Sequence, residues 1–252
     1  MSDEHNADLI YTELIGHTLV IRINRPEKYN AFTQAMYAST AEILRNAATD
    51  PGVRSIVVTG TGKAFSAGND LGDFDLAADG NTPVQHFLRA IADVPVPIVA
   101  AVNGLAVGVG VTMLLHCELV LAAPSATFQV PFVDVGLVPE AASSLLLPQV
   151  IGARRAAEMF LTGRKLDAEE AKSWGLVNHV VEDPYGRAFD VAEAISAKAP
   201  TAVRSTKALL RSATADVTDR MTEEELLLVA QLESSEFTEV MAARRERRIP
   251  QF

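Results

Sequence analysis

Cysteine is nearly absent: the chain of 252 residues has one, Cys117. A single thiol excludes an internal disulfide framework and gives no zinc-type spacing of ligands. Its apolar neighbours make it a small core residue. Basic residues are scarce as well. Lys and Arg number 22 against 32 Asp and Glu, a formal net charge of −10. That balance argues against a general affinity for nucleic acid or for an anionic membrane surface. Long hydrophobic runs are missing too. The apolar stretch at 96–102 is far too short to span a bilayer. The first eight residues are polar and acidic, unlike a signal peptide or a basic targeting segment. A cytoplasmic, soluble protein is the expectation. No internal repeat, low-complexity tract or coiled-coil heptad is visible. What the chain does have is apolar mass: 48% hydrophobic against 21% charged residues. A chain of this length and composition can bury a sizeable core, as one large domain or one domain with an appendage.

The patterning alternates strand and helix. Residues 9–15 and 18–24 read as a hairpin turning at Gly16-His17. A helix over 33–48 follows, with Met36, Thr40, Ile43, Leu44 and Ala47 on one face. Residues 55–60 form a strand. Thr82-Pro83 opens a helix that runs to Asp93 with Phe87, Leu88 and Ile91 inward. Strands are expected at 98–102, at 118–123 and around Phe128. Pro139-Glu140 opens a helix through Leu147, and Gly152 to Leu161 is another. After Tyr185 the chain reads as almost all helix, at 185–198, 201–213, 219–232 and 235–247. The acidic stretch from Asp73 to Asn81 reads as an exposed loop. The basic end, Ala243 to Ile249, reads first as a solvated helix terminus.

Two stretches stand out. In Ile98-Val-Ala-Ala-Val-Asn-Gly-Leu-Ala-Val-Gly-Val-Gly110 an apolar strand meets a turn at Asn103-Gly104, then two glycines and a helix start. Ser55 to Gly60, followed by Phe65-Ser-Ala-Gly-Asn-Asp-Leu71, has the same plan. A helix start exposes unpaired N–H groups that can hold an anion or a developing oxyanion. Glycines in a turn more often solve a backbone problem alone, so neither stretch is diagnostic in isolation.

Together they resemble a known family. Asn24-Arg-Pro-Glu-Lys-Tyr-Asn-Ala31, Lys63-Ala-Phe-Ser-Ala-Gly-Asn-Asp-Leu71, Ala100 to Gly110, and Leu161 to Ala171 with Trp174-Gly-Leu-Val-Asn178 are similar, in order, to four signatures of the crotonase superfamily. This is the enoyl-CoA hydratase/isomerase family. The resemblance implies an α/β spiral of ββα units over 1–198. It implies a helical C-terminal region over 199–252 that covers the active site and serves trimer formation. A homotrimer or a hexamer built as a dimer of trimers is expected. The implied ligand is an acyl-CoA thioester, with coenzyme A as part of the substrate, no prosthetic group and no metal. The backbone N–H groups of Ala67 and Val109 would form the oxyanion hole. Lys28, Ala31, Ala67, Gly68, Asn69, Asp70, Leu71, Gly108 and Phe132 would line the substrate and CoA site. Asp70 more naturally holds its turn than does chemistry.

The acid and base choose the reaction. Where hydratases of the family carry two glutamates, this chain has Thr112 and Phe132. Adding water across a double bond needs an activated water and a proton donor, so the standard hydratase scheme is in doubt. The stretch Phe128 to Ser144 is instead similar to the peroxisomal-type Δ3,Δ2-enoyl-CoA isomerases, whose catalytic glutamate maps onto Glu140. The competing reading of Glu140 is a first-turn glutamate favoured by its helix N-terminus. Hydration, another crotonase reaction on a specialised CoA thioester, and non-catalytic acyl-CoA binding stay open as alternatives. His116 reads as a satisfied core histidine. Asp134 and His86 are lesser candidates for a second polar group, and Ser66 lacks a base pattern.

Overall fold

The computed structural model describes residues 9–70, 72–73, 82–211 and 214–252. Leu71 and nearly all of the acidic loop lie outside the described residues. The chain opens with a hairpin. Strands β1 (Ile10–Ile15) and β2 (Thr18–Ile23) pair antiparallel about Gly16, whose φ of +60° suits a residue without Cβ. Helix α1 (Gln34–Thr49) follows, capped by the Thr33 hydroxyl on the Met36 N–H.

Three turns of chain then repeat one plan: a strand, a short second strand, and a helix. The first turn is β3 (Ser55–Gly60), β4 (Ala64–Ser66) and α2 (Pro83–Asp93). The second is β5 (Ile98–Val102), β6 (Leu105–Val107) and α3 (Val109–Thr112), which continues as a 3-10 turn over Met113–His116. The third is β7 (Leu119–Ala122), β8 (Thr127–Gln129) and α4 (Ser143–Ile151). Beyond these come α5 (Ala153–Thr162), β9 (Leu166–Asp167), α6 (Ala168–Trp174) and β10 (His179–Val180). The chain ends in α7 (Pro184–Ser196), α8 (Pro200–Leu210), α9 (Thr214–Leu232) and α10 (Ser235–Glu246).

The strands sort into two sheets. One has the order β1-β2-β3-β5-β7-β10, parallel from β2 onward. The other has the order β4-β6-β8-β9, with only β9 antiparallel. Each turn of chain contributes one strand to each sheet, which is the ββα spiral. Strands β3 and β5 are buried along their whole length because both faces are covered. On one face Val57, Val99 and Leu121 pack against Ala188 and Ala192 of α7. On the other, Ile56, Val58 and Ile98 join the main core with Phe32, Met36 and Phe87. Burial on two faces explains why these strands read as continuous apolar runs.

Helix α8 is anchored by charge. Lys207, 3% exposed, donates to the Val96 carbonyl at 2.7 Å and pairs with Glu118 at 3.0 Å. Arg211 pairs with Glu118 at 2.8 Å and donates to the His116 carbonyl. Burial draws the Lys207 ammonium down to about 8. Cys117 donates weakly to the Met113 carbonyl and packs, partly buried, against the core, where burial pushes its thiol up to about 12.

Three local expectations change. No helix starts within residues 66–70; that segment leaves β4 as irregular chain, with Asn69 bridged to Phe32. The turn at Asn103-Gly104 leads first into β6, so the helix start comes after Gly108. Finally, α4 begins at Ser143 and not at Pro139. Ala141 and Ala142 both hold positive φ, which helix cannot continue through.

Candidate active site

Strands β4 and β6 are parallel neighbours, so the chain leaves both at the same edge. In parallel sheets that edge is where ligands are commonly met. The exits approach closely. Gly68 has φ +91°, and a Cβ there would lie 3.0 Å from the Val107 carbonyl oxygen and 4.0 Å from the Gly108 Cα. At Gly110 a Cβ would lie 2.6 Å from the Ser66 carbonyl oxygen. Side chains at these positions would drive the two loops apart.

Hydrogen bonding decides which amides remain available. The Ala67 N–H donates to the Tyr29 carbonyl at 2.9 Å. The amide expected as the first oxyanion donor is thus already engaged. Asn69 is bridged to Phe32 in the parallel sense. Phe32 N–H donates to Gly68 O, and Asp70 N–H donates to Phe32 O, each at 2.8 Å. In such a bridge the middle residue turns its own N–H to the opposite side. The Asn69 N–H has no partner among the described residues. Val109 opens α3, and its N–H is likewise without a partner among the described residues, as expected at a helix start.

The first loop supports this edge. Arg25 Nη1 donates to the Ala31 carbonyl at 3.0 Å and to Asp70 Oδ2 at 2.7 Å. Asp70 Oδ1 accepts the Gly72 N–H at 2.9 Å. These bonds, the Gly72 amide first and then Arg25, hold the Asp70 carboxyl below its usual range. Asp70 therefore shapes the turn. Ser66 is buried, donating to the Asn30 carbonyl at 3.0 Å and accepting the Gly68 N–H, which is a structural role. Lys28 ends a 3-10 turn and is exposed.

A cleft opens beside Asn69. Glu140 and Ala141 line it with Val84, Gln85, Leu88 and Arg89 of α2. Met221, Glu225, Leu228 and Leu232 of α9 form another wall. Glu140 is 8% exposed and accepts a hydrogen bond from the Thr112 hydroxyl. Burial pushes its carboxyl up to about 7; the Thr112 hydrogen bond opposes that rise and nearby Glu224 adds to it. Glu140 precedes α4 by three residues, so it is not a first-turn glutamate. Tyr37 donates to Asn69 Oδ1, and burial raises its phenol well above the ordinary range.

Thr112 thus keeps a place in the site, as a hydrogen-bond donor to Glu140. Phe132, at the other hydratase position, is buried with its ring centroid 6.4 Å from that of Phe160. His86 lines a different hollow, with Leu44 and Arg45; its neighbours Gln85 and Leu88 face the cleft instead. Asp134 lines yet another hollow, with Arg244 and Arg248. His116 is buried and bonded to the Ala141 carbonyl. Sequence reasoning passed over Tyr37, Glu224 and Glu225; it expected the region 199–252 to cover the site but did not name the α9 residues that form the cleft wall. The apolar spacing of Met221, Leu228 and Leu232 was the available signal for that wall. Among the described residues, no three His, Cys, Asp or Glu side chains are grouped to hold a metal ion. No helix there is long and apolar enough to cross a membrane.

Known proteins share this arrangement of elements. The family model described as enoyl-CoA hydratase/isomerase matches residues 16–252. The 1,2-epoxyphenylacetyl-CoA isomerase of Escherichia coli is 37% identical over 185 residues, 70% of this chain and 71% of that protein. The peroxisomal enoyl-CoA delta isomerase 3 of Mus musculus is 37% identical over 216 residues, 82% of this chain and 68% of that protein. A solved enoyl-CoA hydratase/isomerase structure from Pseudoalteromonas atlantica superimposes with a TM-score of 0.94 at 44% identity, covering 97% of this chain and 99% of that one. The spiral of two sheets, the paired glycine turns and these likenesses together make the chain a member of the enoyl-CoA hydratase/isomerase family, within the crotonase superfamily.

Proposed function

We propose that this protein is an enoyl-CoA isomerase that moves a 3-enoyl double bond to the 2 position, with Glu140 as its acid/base. The observation that carries the reading is Glu140 itself: a buried carboxyl lining the cleft beside Asn69, held by Thr112, and titrating at about 7. A general base works best when its pKa lies near the working pH. Glu140 removes a proton from C2 of the 3-enoyl thioester, and the electrons move into a dienolate. The carboxylic acid then returns that proton at C4. One carboxyl group is enough, and no water enters.

Negative charge develops on the thioester oxygen during the first step. Two preorganised N–H donors stabilise it. We assign these to Asn69 and Val109, in place of Ala67 and Val109, because the Ala67 amide is bonded to Tyr29. Val109 contributes only its amide; its side chain is buried in the main core and does not line the cleft. Lys28 and Ala31 on the first loop, with Gly68, Asp70, Leu71 and Gly108, are assigned to the CoA side of the substrate. Phe132 is assigned to packing behind the site. The region 199–252 is assigned the cover of the active site, which the α9 residues in the cleft wall support. It is also assigned the contacts of a homotrimer or hexamer, which the exposed Leu209, Leu210, Leu226 and Leu227 support.

A second reading draws on the relatives. One acts on an epoxyphenylacetyl-CoA, so isomerisation of a specialised CoA thioester by the same groups is the closest alternative. Hydration is disfavoured by Thr112 and Phe132 at the two glutamate positions. Purified protein given a 3-enoyl-CoA or a trans-2-enoyl-CoA separates these readings. Conjugation would be followed by absorbance and products by mass, with Glu140→Gln in parallel. The isomerase gains conjugation without a change of mass, and the variant loses it. Water added to the 2-enoyl-CoA with no isomerisation overturns the assignment.

A further inference from the structure

Glu140 is followed by two buried alanines at positive φ, Ala141 at +64° and Ala142 at +54°. Alanine avoids this region because its Cβ crowds the following carbonyl. Two in succession persist only where the surroundings hold them. One local hydrogen bond closes the turn, from the Ser143 N–H to the Glu140 carbonyl at 3.0 Å, and no local side chain caps it. Ala142 stands at the N-cap of α4 and offers no side-chain acceptor.

Two distant side chains supply what the turn lacks. His116, 4% exposed, lies with Nε2 2.8 Å from the Ala141 carbonyl. A carbonyl only accepts, so Nε2 carries the hydrogen and donates it. Glu224 of α9, also 4% exposed, accepts the Ser144 N–H on Oε1 at 2.9 Å. A carboxylate there complements the open N-terminus of α4. The other oxygen of Glu224 is buried with no hydrogen-bond partner among the described residues. Neither side chain lines the cleft, whereas Glu140 and Ala141 do. The neighbours of Glu224 on α9, Glu225 and Leu228, do line it.

We propose that His116 and Glu224 are positioning residues that clamp the Ala141–Ala142 turn from opposite ends and so aim the Glu140 carboxyl into the cleft. One helix, α9, then sets both the cleft wall and the direction of the acid/base. The proposal rests on Glu140 being that group. The charged and titratable groups around the clamp are Tyr37 and Glu140 themselves, Arg220 on α9, and Lys207 and Arg211 facing His116.

The test compares His116→Leu and Glu224→Leu with His116→Gln and Glu224→Gln, which keep a donor and an acceptor. Glu224→Asp is added because it keeps the charge but shortens the reach. Steady-state kinetics on the 3-enoyl-CoA and the pH profile of kcat are the readouts, with folding checked by circular dichroism. Misaiming a catalytic group by about 1 Å costs up to roughly a hundredfold in rate. The Leu and Asp variants should therefore lose about ten- to a hundredfold in kcat with KM within about twofold, and the acid limb of the profile should move. The Gln variants should recover most of the rate. Folded Leu or Asp variants with wild-type kcat and pH profile overturn the clamp. Where a Leu variant does not fold, Glu224→Asp against Glu224→Gln decides: equal rates overturn it. Glu140→Gln keeps the two claims apart. If that variant stays active, the acid/base assignment fails; if it is dead while the clamp variants are unaffected, only the clamp fails.

Discussion

Burial of an ionisable group can be read without knowing the substrate, and Glu140 is the place to do it. Its carboxyl titrates at about 7 in the fold against 4.5 when freely solvated. Between those pH values the unfolded chain gives up a proton that the folded protein keeps. Stability attributable to this group therefore falls as pH rises from 4.5 through 7, and is level on either side. Each tenfold difference in that proton equilibrium is worth about 1.4 kcal/mol, so at pH 8 ionised Glu140 costs the fold roughly 3 kcal/mol. Glu140→Gln never ionises, yet its amide oxygen can still accept the Thr112 hydroxyl. The variant should be more stable than the parent by roughly 3 kcal/mol at pH 8 and by less than about 1 kcal/mol at pH 5. For a chain of this length that is a rise of about 6–12 °C in Tm at pH 8. Urea titrations of both proteins at the two pH values measure it. A variant no more stable than the parent at pH 8, or an equal gain at both pH values, would refute the reasoning. The same substitution should abolish isomerisation, so stability would be gained where activity is lost.

Two more outcomes follow from the site and the surface. Thr112→Val removes a hydrogen bond that favours the ionised Glu140. Hydrogen bonds to charged groups are worth about 1.5–3 kcal/mol, so the acid limb of kcat/KM should move up by about one to two pH units, with little change on the alkaline side. A limb that stays put or moves down would show that Thr112 does not tune this base. Light scattering on the eluting protein should give a mass of three or six copies, because Leu209, Leu210, Leu226 and Leu227 are left exposed on single chains. A monomer at micromolar concentration would remove the oligomer from the proposal.

The ββα spiral was legible because its signals are local. Strands β3 and β5 are β-branched runs bounded by glycine, and α2 opens with a Thr-Pro cap whose Thr82 hydroxyl accepts the Gln85 N–H at 3.3 Å. The glycine turns were legible for the same reason, since Gly68 and Gly108 adopt conformations that few other residues tolerate. The hydratase positions were legible as well, through the plain presence of Thr112 and Phe132. Glu140 was legible as a candidate only by resemblance, because a glutamate after proline is an ordinary way to begin a helix.

What no local pattern could carry was which groups meet. The Ala67 amide looks available until the Tyr29 carbonyl, 38 positions earlier, is found against it. Asn69 reads as one lining residue among several until its bridge to Phe32 turns its N–H away. Thr112 reads as a lost glutamate, yet its hydroxyl meets the carboxyl of Glu140 from a later turn of the spiral. The start of α4 moved to Ser143 because His116 and Glu224, from a strand connection and from the far helical region, hold two alanines at positive φ. Amino-acid order was enough for most of the elements, for the glycine turns and for the family, all of which depend on neighbours a few residues apart. The free donors, the ionisation of Glu140 and the cleft wall depend on burial and on hydrogen bonds between segments up to 140 residues apart, and those exist only once the spiral has closed.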